Sequence, residues 1–247
     1  MFNFSVKNVF ILVRGFLEPQ PLLRRYRLMW SKAHKSKRKG LTNMLVAKPL
    51  QIKHQELLTL ARKAKGSVDT LYLHWTAGRY GQAYDDYHLN VDKEGEIYKT
   101  CRELTDLKAH TWRRNSRAVG IAACCAYGAI CGADAKPIYA ADPPTELQIN
   151  QMAVVIAILC IALELPIDFE HVRTHYEVAV ADGYGPNSDD PDCRWDLSWL
   201  SGMPETRTLR PGGEMLRSRA RYYRQFFLQN TLQVPQQKAE LAEALFA

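Results

Sequence analysis

The sequence predicts a single α/β domain built on a central mixed β-sheet, with helices on the faces of the sheet. Apolar, β-prone runs at residues 69–75 and 118–127 are separated by long helical patterns from other parts of the chain. A hairpin pattern at residues 87–100 adds antiparallel pairing to that sheet. At 247 residues the chain is long enough for one such domain with appended segments.

The first half of the domain begins with an amphipathic helix over residues 51–65, which Gly66 closes. The strand at 69–75 follows directly. The next hairpin has its turn at Gly95, where a residue without a Cβ is favoured. The run 118–127 is apolar almost throughout, which predicts a central strand buried on both faces.

The second half begins with a loop over residues 128–144 that is rich in turn-forming residues. Thr145 is the expected N-cap of a helix, because Gln148 stands three residues later as a capping-box partner. This helix runs to about Leu165. A short strand at 170–174 then delivers His175.

Turn formers fill residues 182–193, and a last helix is predicted from about 213 to 229. We therefore divide the chain into a basic N-terminal arm (1–45), a catalytic domain (50–205) and a C-terminal helix with a tail (206–247). The sequence indicates neither an internal repeat nor a second domain.

The positive charge of the chain is concentrated in its N-terminal arm. Residues 1–50 contain 11 Lys or Arg and one acid, a net charge of +10, so the remaining residues, with 22 basic and 25 acidic side chains, carry −3 of the total of +7. We expect the arm to be disordered or partly helical and to contact anionic polymers or membrane. No dedicated nucleic-acid partner is expected. Met44 is an alternative translation start.

The cysteine spacing and the hydropathy argue against several classes of protein. The six cysteines show no CxxC spacing, which argues against a zinc knuckle and against a disulfide scaffold. The most apolar run, residues 152–163, is too short to span a bilayer and predicts a buried helix. No convincing signal peptide is present, so we expect synthesis in the cytoplasm.

Two histidines and a carboxylate stand in similar settings far apart in the chain. His74 lies near the end of the apolar strand at 69–75, and His175 directly follows the short strand at 170–174. Asp196 lies further along the chain, between aromatic residues. Two histidines and one carboxylate make an open catalytic zinc site, with the fourth position left for water.

Over residues 50–200 the chain resembles the zinc-dependent N-acetylmuramoyl-L-alanine amidases of the Amidase_2 type, which include phage lysins and peptidoglycan recognition proteins. The resemblance implies the amidase-like α/β fold and an amide hydrolase of the phage or prophage lysin type. Its motifs occur in the order of the family: Leu-His-Trp-Thr-Ala-Gly at 73–78, Tyr87-His88 with the hairpin that ends at Tyr98, Ala109-His110 with Asn115 and Val-Gly-Ile at 119–121, and Thr174-His175.

The resemblance also implies a ligand set. His74 and His175 correspond to the family's metal histidines. For the third ligand we favour Asp196, because Arg194 reproduces the basic residue that members of the family carry two positions earlier. Cys193 and then Asp192 are the alternatives, since the family uses either cysteine or aspartate here.

Further roles follow from the same resemblance. Where several amidases carry a catalytic glutamate, this chain has Ala122. The catalytic candidates are therefore Tyr87, Arg194 and Glu177, the last as a base or as a partner of a ligating imidazole. The expected substrate-binding residues line one groove: Trp75, Thr76, Arg79, His110 and Asn115.

The expected function is hydrolysis of the amide between the lactyl group of N-acetylmuramic acid and L-alanine of the stem peptide. Zn²⁺ is the expected cofactor, peptidoglycan the substrate, and a monomer the expected state. After release the enzyme would act on the cell wall. Two alternatives remain: a non-catalytic peptidoglycan-binding module of the same fold, and a polyanion-binding protein driven by the basic arm.

Overall fold

The computed structural model describes residues 44–190, 193–201 and 209–232. The predicted basic arm, except for Met44 and Leu45, and the tail after Pro235 lie outside the described residues. The described part has the α/β fold that the sequence predicts, with a central mixed sheet flanked by helices.

Ten short strands and four α-helices follow one another along the described chain. The strands are β1 (Leu50–Ile52), β2 (Thr70–Trp75), β3 (Leu89–Val91), β4 (Ile97–Lys99), β5 (Ala118–Ala123), β6 (Ile130–Cys131), β7 (Pro137–Ile138), β8 (Val172–Thr174), β9 (Trp199–Ser201) and β10 (Leu209–Pro211). The helices are α1 (His54–Lys63), α2 (Glu146–Leu163), α3 (His175–Ala181) and α4 (Gly212–Leu232).

The central sheet has six strands in the order β1-β4-β3-β5-β2-β8. β5 lies inside the sheet, parallel to both β2 and β3, and all six of its residues are buried, which confirms the predicted central strand. β3 and β4 form the predicted antiparallel hairpin. β8 is parallel to β2, with Leu73 opposite Thr174.

The two faces of β2 pack in two different buried clusters. Leu71, Leu73 and Trp75 point into the main hydrophobic core. Because side chains alternate along a strand, Tyr72 and His74 lie on the opposite face. That face carries a smaller buried cluster, made of Tyr72, Ala118, Val178, Ala179 and Tyr184.

α2 is the central helix of the main core and packs against α1 and α4. Its N-cap is Thr145, whose side chain accepts from the backbone N–H of Gln148 in a capping box, as the sequence predicts. Among the described helices, α2 is the one long and apolar enough to cross a membrane, but 72% of it is buried in the protein. It is therefore the core helix that the sequence indicates.

Several elements differ from the sequence-based expectation. The predicted loop at 128–144 contains the β6–β7 ribbon and one 3-10 turn, and β1, β9 and β10 were not predicted. The strand predicted at 170–174 is β8 and ends at Thr174, and helix α3, which was not predicted, begins at His175. Thr174 and Glu177 form the capping box of this helix.

Candidate metal centre

Three buried polar side chains meet at the edge of the sheet where β2 and β8 end. The Nδ1 atoms of His74 and His175 lie 3.1 Å apart. Oδ2 of Asp196 lies 3.4 Å from Nδ1 of His74 and 3.3 Å from Nδ1 of His175. These residues form the group of possible metal ligands found among the described residues, called the metal-binding group below. The three atoms make a nearly equilateral triangle.

The sheet register accounts for the meeting of the two histidines. His74 is the fifth residue of β2, and His175 follows directly after Thr174 of the neighbouring strand β8. Parallel strands end at the same edge of a sheet, so both imidazoles reach that edge together. Asp196 joins them because its backbone carbonyl accepts from the N–H of Tyr176, at 3.3 Å.

The donor set fits a zinc ion. Ligand atoms about 2.0–2.2 Å from a tetrahedral zinc stand about 3.3–3.6 Å from one another, close to the sides of the observed triangle. Two imidazole nitrogens and one carboxylate oxygen leave a fourth position open. Burial raises the pKa of Asp196, but the charges and hydrogen bonds of His175 and His74 outweigh burial and hold its pKa below the ordinary value. The carboxylate is therefore ionised, as a ligand must be.

A second layer of polar groups supports His74. Its other ring nitrogen, Nε2, lies 3.4 Å from the hydroxyl of Thr111. That hydroxyl also lies 3.0 Å from Nδ1 of His110. Oδ1 of Asn115 accepts from the backbone N–H groups of His110 and Thr111, at 3.2 and 2.8 Å, and so holds this segment in place. Such partners orient a ligating imidazole and select its tautomer.

The profile of the Amidase_2 family, described as N-acetylmuramoyl-L-alanine amidase, matches residues 64–193, which is more than half of the chain. The chain belongs to the N-acetylmuramoyl-L-alanine amidase family. It is thus an amidase, and the predicted resemblance is confirmed.

Three solved structures with some likeness to this amidase share little sequence with it. LysC from Clostridium intestinale URNW, an N-acetylmuramoyl-L-alanine amidase, is 15% identical, with 60% of this chain and 89% of that chain covered and a TM-score of 0.35. The Ph2119 endolysin of a Thermus scotoductus MAT2119 bacteriophage is 15% identical, with coverage of 58% and 82% and a TM-score of 0.34. PGRP-Hd from Alvinella pompejana is 17% identical, with coverage of 53% and 79% and a TM-score of 0.30. No curated protein sequence matches the chain.

Tyr87, a predicted catalytic residue, lies beside the metal-binding group. Its ring centroid is 5.1 Å from that of His74, and the side chain is buried. Its hydroxyl donates to the backbone carbonyl of Trp75 over 3.4 Å, a long hydrogen bond. Burial, together with the charges of Asp196 and Asp86, raises the pKa of Tyr87 well above its usual value. The phenol therefore keeps its proton at neutral pH.

Arg194 belongs to the segment that delivers Asp196. Its backbone N–H donates to the carbonyl of Tyr184 at 3.2 Å, and one guanidinium nitrogen donates to the carbonyl of Cys193 at 3.2 Å. Its positive charge lowers the pKa values of Tyr87 and Tyr184 and so partly offsets the effect of burial on both. Arg194 thus lies within electrostatic reach of the predicted catalytic tyrosine.

Glu177 does not face the metal-binding group as a base would. Its carboxylate accepts from the backbone N–H of Thr174 at 2.9 Å and from two guanidinium nitrogens of Arg217 at 2.8 and 2.9 Å. Its oxygens are committed because Glu177 is the third residue of α3 and closes the capping box. The expectation of a catalytic base at Glu177 does not fit this geometry.

The predicted substrate-binding residues separate into two groups. Trp75 is only 4% exposed and packs edge-on against Trp195, with ring centroids 4.9 Å apart, so its assignment to the groove does not fit the structure. Thr76 is also buried and accepts from the N–H of Gly78. Arg79, in contrast, has a side chain that is 55% exposed and stacks over the ring of Tyr127 at 4.0 Å.

His110 is buried rather than open to solvent. Its ring lies edge-on to that of His74, with centroids 5.4 Å apart, and packs on Gly120, where a Cβ would stand 2.6 Å from the imidazole. Burial, followed by the charges of His74 and His88, lowers the pKa of His110 well below its usual value. His110 therefore packs against His74 inside the protein, and Asn115 holds the backbone of His110.

The geometry favours Asp196 over the two alternative third ligands. Cys193 is described, but it does not belong to the metal-binding group among the described residues. Asp192 lies outside the described residues. Sequence reasoning missed Thr111, which lies beside His74, and Arg217, which binds Glu177. Thr111 directly follows His110 of the family motif, which is a usable signal, whereas no local pattern points to Arg217.

Proposed function

We propose that this amidase is a zinc-dependent peptidoglycan hydrolase that cleaves the amide between the lactyl group of N-acetylmuramic acid and L-alanine. The observation that carries the proposal is the convergence of His74, His175 and Asp196 on one point with distances of 3.1–3.4 Å. Membership of the amidase family supports the same reaction.

The three side chains would hold the ion through the atoms that converge. His74 and His175 would bind through Nδ1, and Asp196 would bind through an ionised carboxylate oxygen. When bound, zinc supplies Lewis acidity and a nucleophilic water at neutral pH. The almost complete burial of all three side chains excludes bulk water from the ligand side of the site and strengthens the electrostatic interactions there.

Tyr87 and Arg194 are the proposed donors to the scissile carbonyl. Tyr87 remains protonated because its pKa is raised. Its hydroxyl would donate to the substrate by exchanging its long hydrogen bond to the carbonyl of Trp75 for one to the scissile carbonyl. Arg194 is always charged and comes two residues before Asp196. As negative charge develops on the carbonyl oxygen, donors held in place beforehand stabilise it.

The biological setting we propose is that of an endolysin of phage or prophage type. The enzyme would be made in the cytoplasm, act on the wall as a monomer after release, and use peptidoglycan as its substrate. The basic arm, residues 1–43 of which lie outside the described part, would add affinity for anionic polymers or membrane.

The test is a digestion of purified sacculi with and without a chelator, followed by mass analysis of the fragments. New free amino groups on L-alanine, without new reducing sugar ends, are expected from the intact enzyme. The chelator should abolish them and added zinc should restore them. New reducing ends would identify a glycosidase and contradict the proposal.

Two alternatives are distinguished by the digestion assay and by a truncation of the arm. A non-catalytic peptidoglycan-binding module would bind sacculi and release nothing, but the retention of three converging ligands argues against it. A polyanion-binding protein would depend on the arm. The test is a chain that starts at Met44. If the arm is an accessory segment of an amidase, this chain should lose nucleic-acid binding and keep wall hydrolysis.

A further inference from the structure

Arg217, on the C-terminal helix α4, makes contacts that reach toward the metal-binding group. It is 4% exposed, and its guanidinium binds the carboxylate of Glu177 with two nitrogens at 2.8 and 2.9 Å. One of these nitrogens also donates to the carbonyl of Val172 at 3.0 Å. Arg217 therefore joins the end of β8 to the first turn of α3.

The same carboxylate fixes the backbone next to a proposed ligand. Glu177 accepts from the N–H of Thr174 at 2.9 Å, and Thr174 accepts in return from the N–H of Glu177 at 3.2 Å. His175 lies between these two residues, as the first residue of the helix. A carboxylate held by a bidentate arginine loses its freedom to rotate, so the backbone that carries His175 is held as well.

The start of α4 also touches the segment that carries Asp196. The N–H of Gly212 donates to the carbonyl of Ser198 at 3.0 Å. A Cβ at Gly212 would stand 2.0 Å from the carbonyl oxygen of Leu197, so only glycine permits this approach. Leu197, directly after Asp196, has a φ of 57°, which is unfavourable for leucine and needs support from its surroundings.

Gly213 allows helix α4 to approach Glu177 closely, as Gly212 allows it to approach Leu197. A Cβ at this position would stand 2.2 Å from Oε1 of Glu177. Thus Gly212 packs on the turn after Asp196, and Gly213 packs on the carboxylate beside His175. α4 begins at residue 212, beyond the residues 64–193 that match the family profile.

We propose that Arg217 is a positioning residue for the metal site: through Glu177 it holds His175 in place, while the glycines before it let α4 support the Asp196 turn. The proposal rests on the function proposed above. It predicts that α4 sets the affinity for zinc without supplying a ligand. Second-layer partners of metal ligands typically change metal affinity about 10–100-fold.

The test compares two arginines of the same helix in the full-length protein. Arg217→Met removes the contact with Glu177. Arg219→Met is the matched control, because Arg219 makes a comparable ion pair with Glu146 of α2, at 2.6 Å, away from both ligand segments. Zinc affinity is measured by competition with a chromogenic chelator, and thermal unfolding is followed by circular dichroism.

Arg217→Met should bind zinc at least about 10-fold more weakly than the wild type, whereas Arg219→Met should bind it as the wild type does. Excess zinc should restore wall hydrolysis by Arg217→Met. Equal zinc affinity of the two variants would overturn the proposal, even if both unfold at lower temperature.

Two further variants keep the test decisive if Arg217→Met does not fold. The double variant Glu177→Gln/Arg217→Met leaves no unpaired buried charge and should show the same loss of zinc affinity. His175→Ala separates the two proposals. If it binds zinc as tightly as the wild type, both the metal site and the positioning role are wrong. If it loses zinc while the Arg217 variants do not, only the positioning role is wrong.

Discussion

The backbone N–H of Gly120 donates a hydrogen bond to Nδ1 of His88 over 3.0 Å. Because a backbone N–H can only donate, Nδ1 must accept and carries no proton. The other ring nitrogen, Nε2, lies 2.8 Å from the carbonyl of Asp106 and therefore carries the proton. The strand histidine His88 is thus held neutral by donors and acceptors that fit only one tautomer.

This arrangement makes the stability of the protein sensitive to acid. Burial lowers the pKa of His88 from 6.5 to about 4, with smaller opposing contributions from Asp106. The folded state therefore binds fewer protons than the unfolded state between these pH values, and stability falls as the pH drops from about 6.5 to about 4. The contribution of this one histidine amounts to about 3 kcal/mol.

Chemical denaturation of the wild type and of His88→Gln at several pH values measures that contribution. The free energy of unfolding of the wild type should fall more steeply on acidification than that of His88→Gln. Parallel curves from pH 7 to pH 4 would show that His88 does not carry the effect.

The proposed ligands can be tested with two neighbouring histidines. His175→Ala should lose bound zinc and wall hydrolysis together, because two remaining ligands hold zinc poorly. His171→Ala is the control, since His171 is half-buried and pairs with Asp168 at the surface, with 2.7 Å between Nδ1 and Oδ1. Zinc content is measured by elemental analysis. Retention of one zinc per chain in His175→Ala would contradict the ligand assignment.

Thr111 offers a test of the layer behind His74. Thr111→Val keeps the shape of the side chain and removes the hydroxyl 3.4 Å from Nε2 of His74. Zinc affinity should fall about 10-fold, because the imidazole loses the partner that selects its tautomer. Thr111→Ser, which restores the hydroxyl, should bind zinc nearly as the wild type does. If valine and serine behave alike, the hydroxyl has no such role.

Tyr87 should affect the chemical step without affecting the metal. Tyr87→Phe removes the hydroxyl and keeps the buried ring beside His74, so zinc content should not change. The loss of one donor to the scissile carbonyl should lower kcat about 100-fold with little change in KM. Tyr139→Phe is the control, because Tyr139 is partly buried and packs on Trp75 against the main core. An unchanged kcat in Tyr87→Phe would remove Tyr87 from the catalytic residues.

Local patterns in the sequence were sufficient for the main elements. The apolar run around β5, the Thr145 capping box of α2 and the hairpin of β3 and β4 all occur where the sequence predicts them. The same kind of pattern was available at Thr174 and Glu177, where Thr-x-x-Glu marks the start of α3. The β-branched residues Val172 and Thr174 just before it favour a strand, and the helix that begins at His175 is not among the predicted elements.

By itself, the sequence determined the order of the elements and which residue types could bind a metal, since both depend on local periodicity and side-chain chemistry. Only the tertiary structure decided what each of these side chains faces. Trp75 and His74 are neighbours in β2, yet one enters the core and the other the metal site. Glu177 and Arg217 are 40 residues apart in the chain and bind each other. Contacts between distant segments depend on how helices and strands pack, and no local pattern records that packing.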